Sequence, residues 1–403
     1  MIIKKIKAKK IKNSRGEDTL KVIVKSDITK GTGAAPSGMS TGKHEVMAFP
    51  EEGVDFCVDF INKELPKKLL GLQFQKYSDL KKVESLIDIN KYGGNTLVAV
   101  EYAIINSFGN AWEFVDENSK QVPRPVGNVI GGGAHVRSDK VPDFQEFLVL
   151  SLNCPSFVKA MEANYRVHSL VQKKFKKLKK FNNEISDEGA WIANISNTEA
   201  LDILHESIKE ISRDYDFVLQ IGLDVAASSF YKDGKYYYKN YSNEEKVKVL
   251  SSTEQIEYIG GLIEKYGLKY VEDPLHEDDF EGFAKLSEKY SNKCLIVGDD
   301  LITTNLDRLK DAVKFKSINS LIIKPNQIGS LLKTKKVVEF AKKNKLFCVM
   351  SHRSGETLDT TISHLAVGLG TPLFKTGISG PERESKLQEV RKIVGQIKAK
   401  IAE

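Results

Sequence analysis

The run Ser320-Leu-Ile-Ile-Lys324, continued by Pro-Asn-Gln-Ile-Gly329, decides how this chain folds. Consecutive large apolar residues in so short a stretch suit a strand buried on both faces, as in a parallel sheet covered by helices. A lone lysine is usually a snorkelling surface residue, but not at the end of a buried strand. Similar runs recur on either side: Glu146-Phe-Leu-Val-Leu150, Phe217-Val-Leu-Gln-Ile-Gly-Leu223, Leu268-Lys-Tyr-Val271, Cys294-Leu-Ile-Val297, Leu346-Phe-Cys-Val-Met350 and Pro372-Leu-Phe374. Helix-length segments of mixed polarity alternate with them from about residue 127 onward, which predicts α/β architecture.

The residue just beyond each run is repeatedly charged or polar: Asp224, Glu272, Asp299, Lys324, His352 with Arg353, and Lys375. Their separations match one to two βα units of a barrel that takes about 250 residues over eight units. The carboxyl ends of barrel strands open on one face, so these groups should converge there. The alternative, an open doubly wound sheet, would spread them along an edge.

Upstream, residues 1 to about 50 suggest strands and turns, with Ile3, Ile6, Ala8 and Ile11 among lysines in an edge strand. Residues from about 55 to 120 suggest helices, including Asn95 to Val115 with one apolar stripe. The polar segment Glu117–Val126 carries two prolines and makes a candidate linker. The expected division is an α+β capping domain over 1–122 and a (β/α)8 barrel over 123–403.

The composition, 41% hydrophobic and 29% charged over 403 residues, is that of an ordinary globular protein. A net charge of +7 suits an anionic small molecule as well as it suits nucleic acid, though neither a nucleic-acid partner nor a membrane partner is expected. Cys57, Cys154, Cys294 and Cys348 are widely scattered, so free buried thiols are expected. The basic N-terminus lacks the apolar core of a signal peptide, and no run approaches the ~20 apolar residues of a membrane span. A cytoplasmic protein is expected. The lysine-rich run Lys173–Lys180 has the pattern of a solvated helix face.

Three strand-end carboxylates, Asp224, Glu272 and Asp299, offer the hard oxygen donors that Mg²⁺ takes. Beside a divalent cation and partly desolvated, Lys324 would have a lowered pKa and serve as a base near neutral pH. In Met350-Ser-His-Arg-Ser-Gly-Glu-Thr357 an imidazole, a guanidinium and a hydroxyl meet where a phosphate or carboxylate could be held. The loop Gly38-Met-Ser-Thr-Gly42 offers hydroxyls and backbone donors, through Ser40 above all, but taken alone it has the composition of an ordinary turn.

Together these stretches resemble the enolase family over nearly the whole chain. Ser14-Arg-Gly16, Pro36-Ser-Gly-Met-Ser-Thr-Gly42, Gln145-Glu-Phe147, Asp187-Glu-Gly189, Gly222-Leu-Asp224, Glu272-Asp-Pro274, Asp299-Asp-Leu301, Lys324-Pro-Asn-Gln-Ile-Gly329, Ser351-His-Arg-Ser-Gly-Glu-Thr357 and Lys375-Thr-Gly377 follow the family's motifs in order. The resemblance implies Mg²⁺-dependent interconversion of 2-phosphoglycerate and phosphoenolpyruvate by a divergent, archaeal-type member. It implies two Mg²⁺ ions, the first on Asp224, Glu272 and Asp299, the second reached by Ser40. Lys324 would be the base, and Glu188, supported by Glu146 and Gln145, would assist loss of the hydroxyl. Arg353 and Ser354 would bind phosphate and Lys375 the carboxylate, with His135 and His352 lining the pocket. A homodimer or a higher assembly of dimers is implied as well.

The chain departs from the family at Glu17-Asp-Thr19, at the short Ala48–Gly53 segment, at Gly131-Gly-Gly-Ala-His135, at Ser186-Asp-Glu-Gly-Ala190 and at Pro325. None of these removes an expected ligand, acid or base. Two rival readings stay open at this point: a superfamily barrel acting on a different acid, and a diverged paralogue with a non-catalytic binding role.

Overall fold

The computed structural model describes residues 1–402 except 39–41, 120, 137, 139, 179, 180 and 182, and only the backbone of 399–402. The chain begins with an antiparallel sheet of β1 (Ile3–Lys12), β2 (Asp18–Ser26) and β3 (Lys30–Ala34), in the order β1-β2-β3. β1 is the expected edge strand, and its exposed lysines discourage pairing with another chain. The helices α1 (Gly53–Lys63) and α2 (Gly94–Asn106) follow.

The expected single helix over Asn95–Val115 is instead α2 and a separate short helix, Ala111–Val115. Nor does α2 carry one apolar stripe, since every residue from Gly94 to Ile105 is buried. A helix apolar on all sides is one enclosed on all sides, and α2 lies against β2 and β3 while touching the short helix Pro325–Ile328 of the second half. Gly33 of β3 lets it approach so closely: a Cβ there would stand 2.3 Å from the Ala99 carbonyl oxygen.

Among the described residues, eight strands close into a barrel: β4 (Arg124–Gly131), β5 (Glu146–Leu150), β6 (Gln220–Asp224), β7 (Tyr270–Glu272), β8 (Leu295–Gly298), β9 (Ser320–Ile323), β10 (Phe347–Ser351) and β11 (Leu373–Lys375). Pairing of β11 with β4 completes the ring. Outside the barrel lie α3 (Phe157–Phe175), α4 (Asn197–Ile211), α5 (Ser252–Tyr266), α6 (Phe280–Tyr290), α7 (Leu306–Phe315), α8 (Leu331–Lys343), α9 (Thr361–Gly368) and α10 (Pro381–Ala402). Inside, Val126, Leu148, Leu150, Tyr270, Val297, Ile322, Val349 and Leu373 form a packed plug. These are the alternate inward residues that fill a barrel with side chains rather than water.

Two features differ from the sequence-based expectation. The candidate linker ends early, because Arg124 already begins β4, where its N–H donates to the Pro372 carbonyl. Also, among the described residues β4 and β5 are joined by no α-helix, only the single 3-10 turn Gly133–His135, and β5 runs antiparallel to both β4 and β6. This reversal brings the amino end of β5 to the face where the other strands end. The four cysteines are free and buried, as expected. Among the described residues, no helix is long and apolar enough to cross a membrane.

Candidate active site

The mouth of the barrel collects most of the residues singled out from the sequence. His135, Gln145, Glu146, Glu188, Asp224, Asp299, Lys324, His352, Arg353, Ser354 and Lys375 line one pocket, and Glu272 lies beneath it, fully buried. Ser40 falls outside the described residues. Asp224, Glu272 and Lys375 are the last residues of their strands, and Asp299 and Lys324 are the first beyond theirs. Glu146 arrives from the opposite direction: as the first residue of reversed β5 it pairs in register with Asp224.

Two ammonium groups organise the carboxylates. Lys375 Nζ lies 2.9 Å from Asp224 Oδ2, 2.9 Å from both oxygens of Glu272 and 3.3 Å from Glu146 Oε2. Burial alone would lower its pKa, but the charges of Asp224, Glu146 and Glu272 raise it well above the usual lysine value. Lys324 Nζ pairs with Asp299 Oδ2, whose other oxygen accepts from Gln327 Nε2 at 2.9 Å. Burial lowers the Lys324 pKa, and the Asp299 carboxylate outweighs burial and raises it. Asp299 in turn sits below its usual value, because Lys324 overcomes the upward push of burial.

The motif after Lys324 has a clear local logic. Pro325 opens a one-turn helix with its φ already fixed, and Gly329 closes that helix in the left-handed region. That turn places Gln327 on Asp299 and sends Asn326 Nδ2 to the Pro36 carbonyl at 3.0 Å. Asn326 Oδ1 also accepts from Arg353 Nη1 at 3.1 Å.

Across the mouth, Glu188 stands between two imidazoles: His135 Nδ1 is 3.9 Å from its Oε1, and His352 Nε2 is 3.6 Å from its Oε2. Asn128 Nδ2 donates to Glu188 Oε2 at 3.2 Å, and Gln145 Nε2 to Asp224 Oδ2 at the same distance. Burial pushes His352 down to about 4 and also lowers His135, so both rings are neutral at pH 7. Glu146 and Glu188, with His135, hold ligand atoms within 4.8 Å of one another. Burial and the neighbouring Glu188 charge raise Glu146 well above its usual value.

Several contributors were not singled out from the sequence. Asp273 and Asp300 join Asp299 in a second carboxylate cluster, and Asp273 accepts from the backbone N–H groups of Asp299 and Asp300. Their signal was present, since both strand-end motifs carry doubled acids. Glu45, which holds Arg353, and Arg383, which holds two loops, gave no local signal.

Seven carboxylates crowd the mouth: Glu146, Glu188, Asp224, Glu272, Asp273, Asp299 and Asp300. Facing them are Lys324, Lys375 and an Arg353 already paired with Glu45. Burial and then mutual repulsion push Glu272 and Asp300 up to about 8. An all-oxygen donor set with so much uncompensated negative charge fits a hard divalent cation.

Such a mouth defines a barrel enzyme that binds a cation and works on a small anionic substrate. Residues 3–114 match the family model described as "Enolase, N-terminal domain", and residues 119–402 match "Enolase, C-terminal TIM barrel domain". The chain is 39% identical over 405 residues to the enolase of Methanosphaera stadtmanae, covering 97% of this chain and 96% of that protein. It is 39% identical over 409 residues to the enolase of Methanothermobacter thermautotrophicus, covering 98% and 97%. With the enolase of Pyrobaculum aerophilum it shares 39% over 402 residues, covering 96% and 94%. This chain belongs to the enolase family.

Proposed function

We propose that this lyase dehydrates 2-phosphoglycerate to phosphoenolpyruvate, reversibly and with two Mg²⁺ ions, using Lys324 as base and the Glu146–Glu188 pair as proton source. One observation carries the assignment. In the eight-strand ring, β5 and β9 are four strands apart in either direction. The carboxyl pair and Lys324 therefore face the substrate from opposite walls. Removal of a proton from one carbon and departure of hydroxide from the next need groups on separated sides.

The chemistry is demanding because the proton lies beside an ionised carboxylate, so its loss adds charge to an already anionic group. Asp224, Glu272 and Asp299 would hold an Mg²⁺ ion, which would supply the concentrated positive charge that this development needs. Lys324 takes the α-proton and the C–H electron pair stays on the substrate. That pair then forms the carbon–carbon double bond while the β-hydroxyl leaves, and the proton held by Glu146 and Glu188 completes a water molecule. The enclosed polar wall of Asn128, His135 and His352 holds Glu188 in place. Lys375 is assigned to the substrate carboxylate and Arg353 with Ser354 to the phosphate. Ser40 is assigned to the second Mg²⁺.

The proposal includes a capping domain over 1–122, a barrel over 123–403, a homodimer or higher assembly of dimers, and a cytoplasmic setting. The deciding experiment is turnover of 2-phosphoglycerate by pure protein with saturating Mg²⁺. Absence of phosphoenolpyruvate would reject the assignment.

A further inference from the structure

The buried cations of the mouth pair with carboxylates, with one exception. Arg383, in the first turn of α10, is only 1% exposed, yet every hydrogen bond of its guanidinium among the described residues goes to a backbone carbonyl. Nη1 donates to the Arg353 carbonyl at 2.9 Å. Nη2 donates to the Asp187 carbonyl at 2.9 Å and to the Ser354 carbonyl at 2.7 Å. These three carbonyls belong to two loops far apart in the chain. Asp187 directly precedes Glu188, and Arg353 and Ser354 form the strand-end loop after β10.

We propose that Arg383 is a positioning residue for the dehydration half of the reaction, clamping the loop of Glu188 to the loop of Arg353 and Ser354. This rests on the assignment of Glu188 and Lys324 given above.

A guanidinium suits the task because its planar fork presents several donors in fixed directions, whereas an ammonium is a point charge on a flexible stem. Its neighbour one turn on does a different job. Lys386 Nζ holds Glu356 at 2.9 Å and the Thr357 carbonyl at 2.7 Å, anchoring only the far side of the same strand-end loop. Of these two side chains only Arg383 reaches Asp187; from outside α10, Arg15 Nη1 meets the more exposed Asp187 carboxylate at 3.2 Å and Ser14 Oγ the Ser354 carbonyl at 3.2 Å. The base is held separately: Lys324 depends on Asp299 through its side chain and on Thr304 through its backbone N–H at 2.9 Å. Loosening Arg383 should therefore disturb the acid side of the substrate and leave the base side in place.

That separation has its own readout. Lys324 can exchange the α-proton of 2-phosphoglycerate with solvent even when the hydroxyl does not leave. Arg383→Gln and Arg383→Lys would be compared with the unsubstituted protein at saturating substrate and Mg²⁺. Deuterium exchange at the α-carbon and phosphoenolpyruvate formation would be followed together, and folding by thermal unfolding. The ratio of exchange to turnover should rise at least tenfold in Arg383→Gln and by a smaller factor in Arg383→Lys, which keeps the charge but not the fork. If Arg383→Gln does not fold, Arg383→Lys carries the comparison. An unchanged ratio overturns the proposal, whether both rates fall together, as a purely structural role would require, or neither falls. Absence of both rates in the unsubstituted protein would overturn the reaction assignment, and this proposal with it.

Discussion

Arg353 and Glu45 meet in a two-point fork, Nη1 to Oε2 and Nη2 to Oε1, each 2.9 Å, across 308 residues of sequence. Both side chains are nearly inaccessible to water. Breaking a buried ion pair by removing one partner costs about 3–5 kcal/mol, because the other charge is left uncompensated. Glu45→Ala should therefore destabilise the free protein by about 3 kcal/mol. If Arg353 is the phosphate group's partner, the unpaired guanidinium should gain more from an anion than the paired one does. Added inorganic phosphate should then raise the melting temperature of Glu45→Ala more than that of the unsubstituted protein. Equal phosphate shifts in the two proteins would separate Arg353 from the phosphate site.

Gly38 packs directly on the same guanidinium. A Cβ at this position would lie 1.9 Å from Arg353 Nη2, closer than any real contact allows. Gly38→Ala must therefore displace Arg353 or the loop. Its KM for 2-phosphoglycerate should rise at least tenfold, with much less effect on α-proton exchange at saturation. An unchanged KM would show that Arg353 does not contact the substrate.

Lys324 and Glu188 are separable by the step each serves. Lys324→Ala should lose both α-proton exchange and turnover, since a positioned base contributes about 10²–10⁴-fold. Glu188→Gln should keep exchange while phosphoenolpyruvate formation falls by a comparable factor. Normal exchange in Lys324→Ala would mean that another group removes the proton.

His168, on α3, supplies a test by pH through a contact with the residue that follows Glu188. Its Nε2 lies 2.8 Å from the Gly189 carbonyl, its ring stacks on Trp191, and burial pushes its pKa down to about 4. The unfolded chain, with a His pKa near 6.5, binds a proton between about pH 6.5 and 4 that the folded chain does not. Stability from the neutral ring is thus complete above about pH 6.5 and is lost as pH falls, by up to about 3 kcal/mol at pH 4. The stability gap between the unsubstituted protein and His168→Gln, measured by urea unfolding, should narrow by that order between pH 7 and pH 4.5. A constant gap would mean that the ring titrates normally in the folded state.

How far the site was legible varies residue by residue. Lys324, Asp224 and Glu272 were legible because each closes an apolar run, and such a run reports both the strand and where it ends. β4 was obscured because Pro123 and Pro125 give its beginning the composition of a linker, although Arg124 is already in the ladder. The reversal of β5 was hidden for another reason. An apolar strand has the same pattern in either direction, and only its pairing with β4 and β6 shows which end carries Glu146 to the mouth. The pairing of Lys324 with Asp299 was not legible either, because it depends on a distance across 25 residues and not on the place of either residue in the chain.

The amino-acid sequence by itself determined the alternation of buried strands and helices, the chemical types at the strand ends and the family to which they belong. These follow from periodicity, local backbone preference and residue order, all properties of short stretches. Only the tertiary structure decided which charges share a partner: Lys375 with Asp224 and Glu272, Lys324 with Asp299, Arg353 with Glu45, and Arg383 with the carbonyls of two loops. The physical reason is that electrostatic and hydrogen-bond energies depend on distance and burial. In this chain both are set by closure of the barrel, which joins β11 to β4 across some 250 residues.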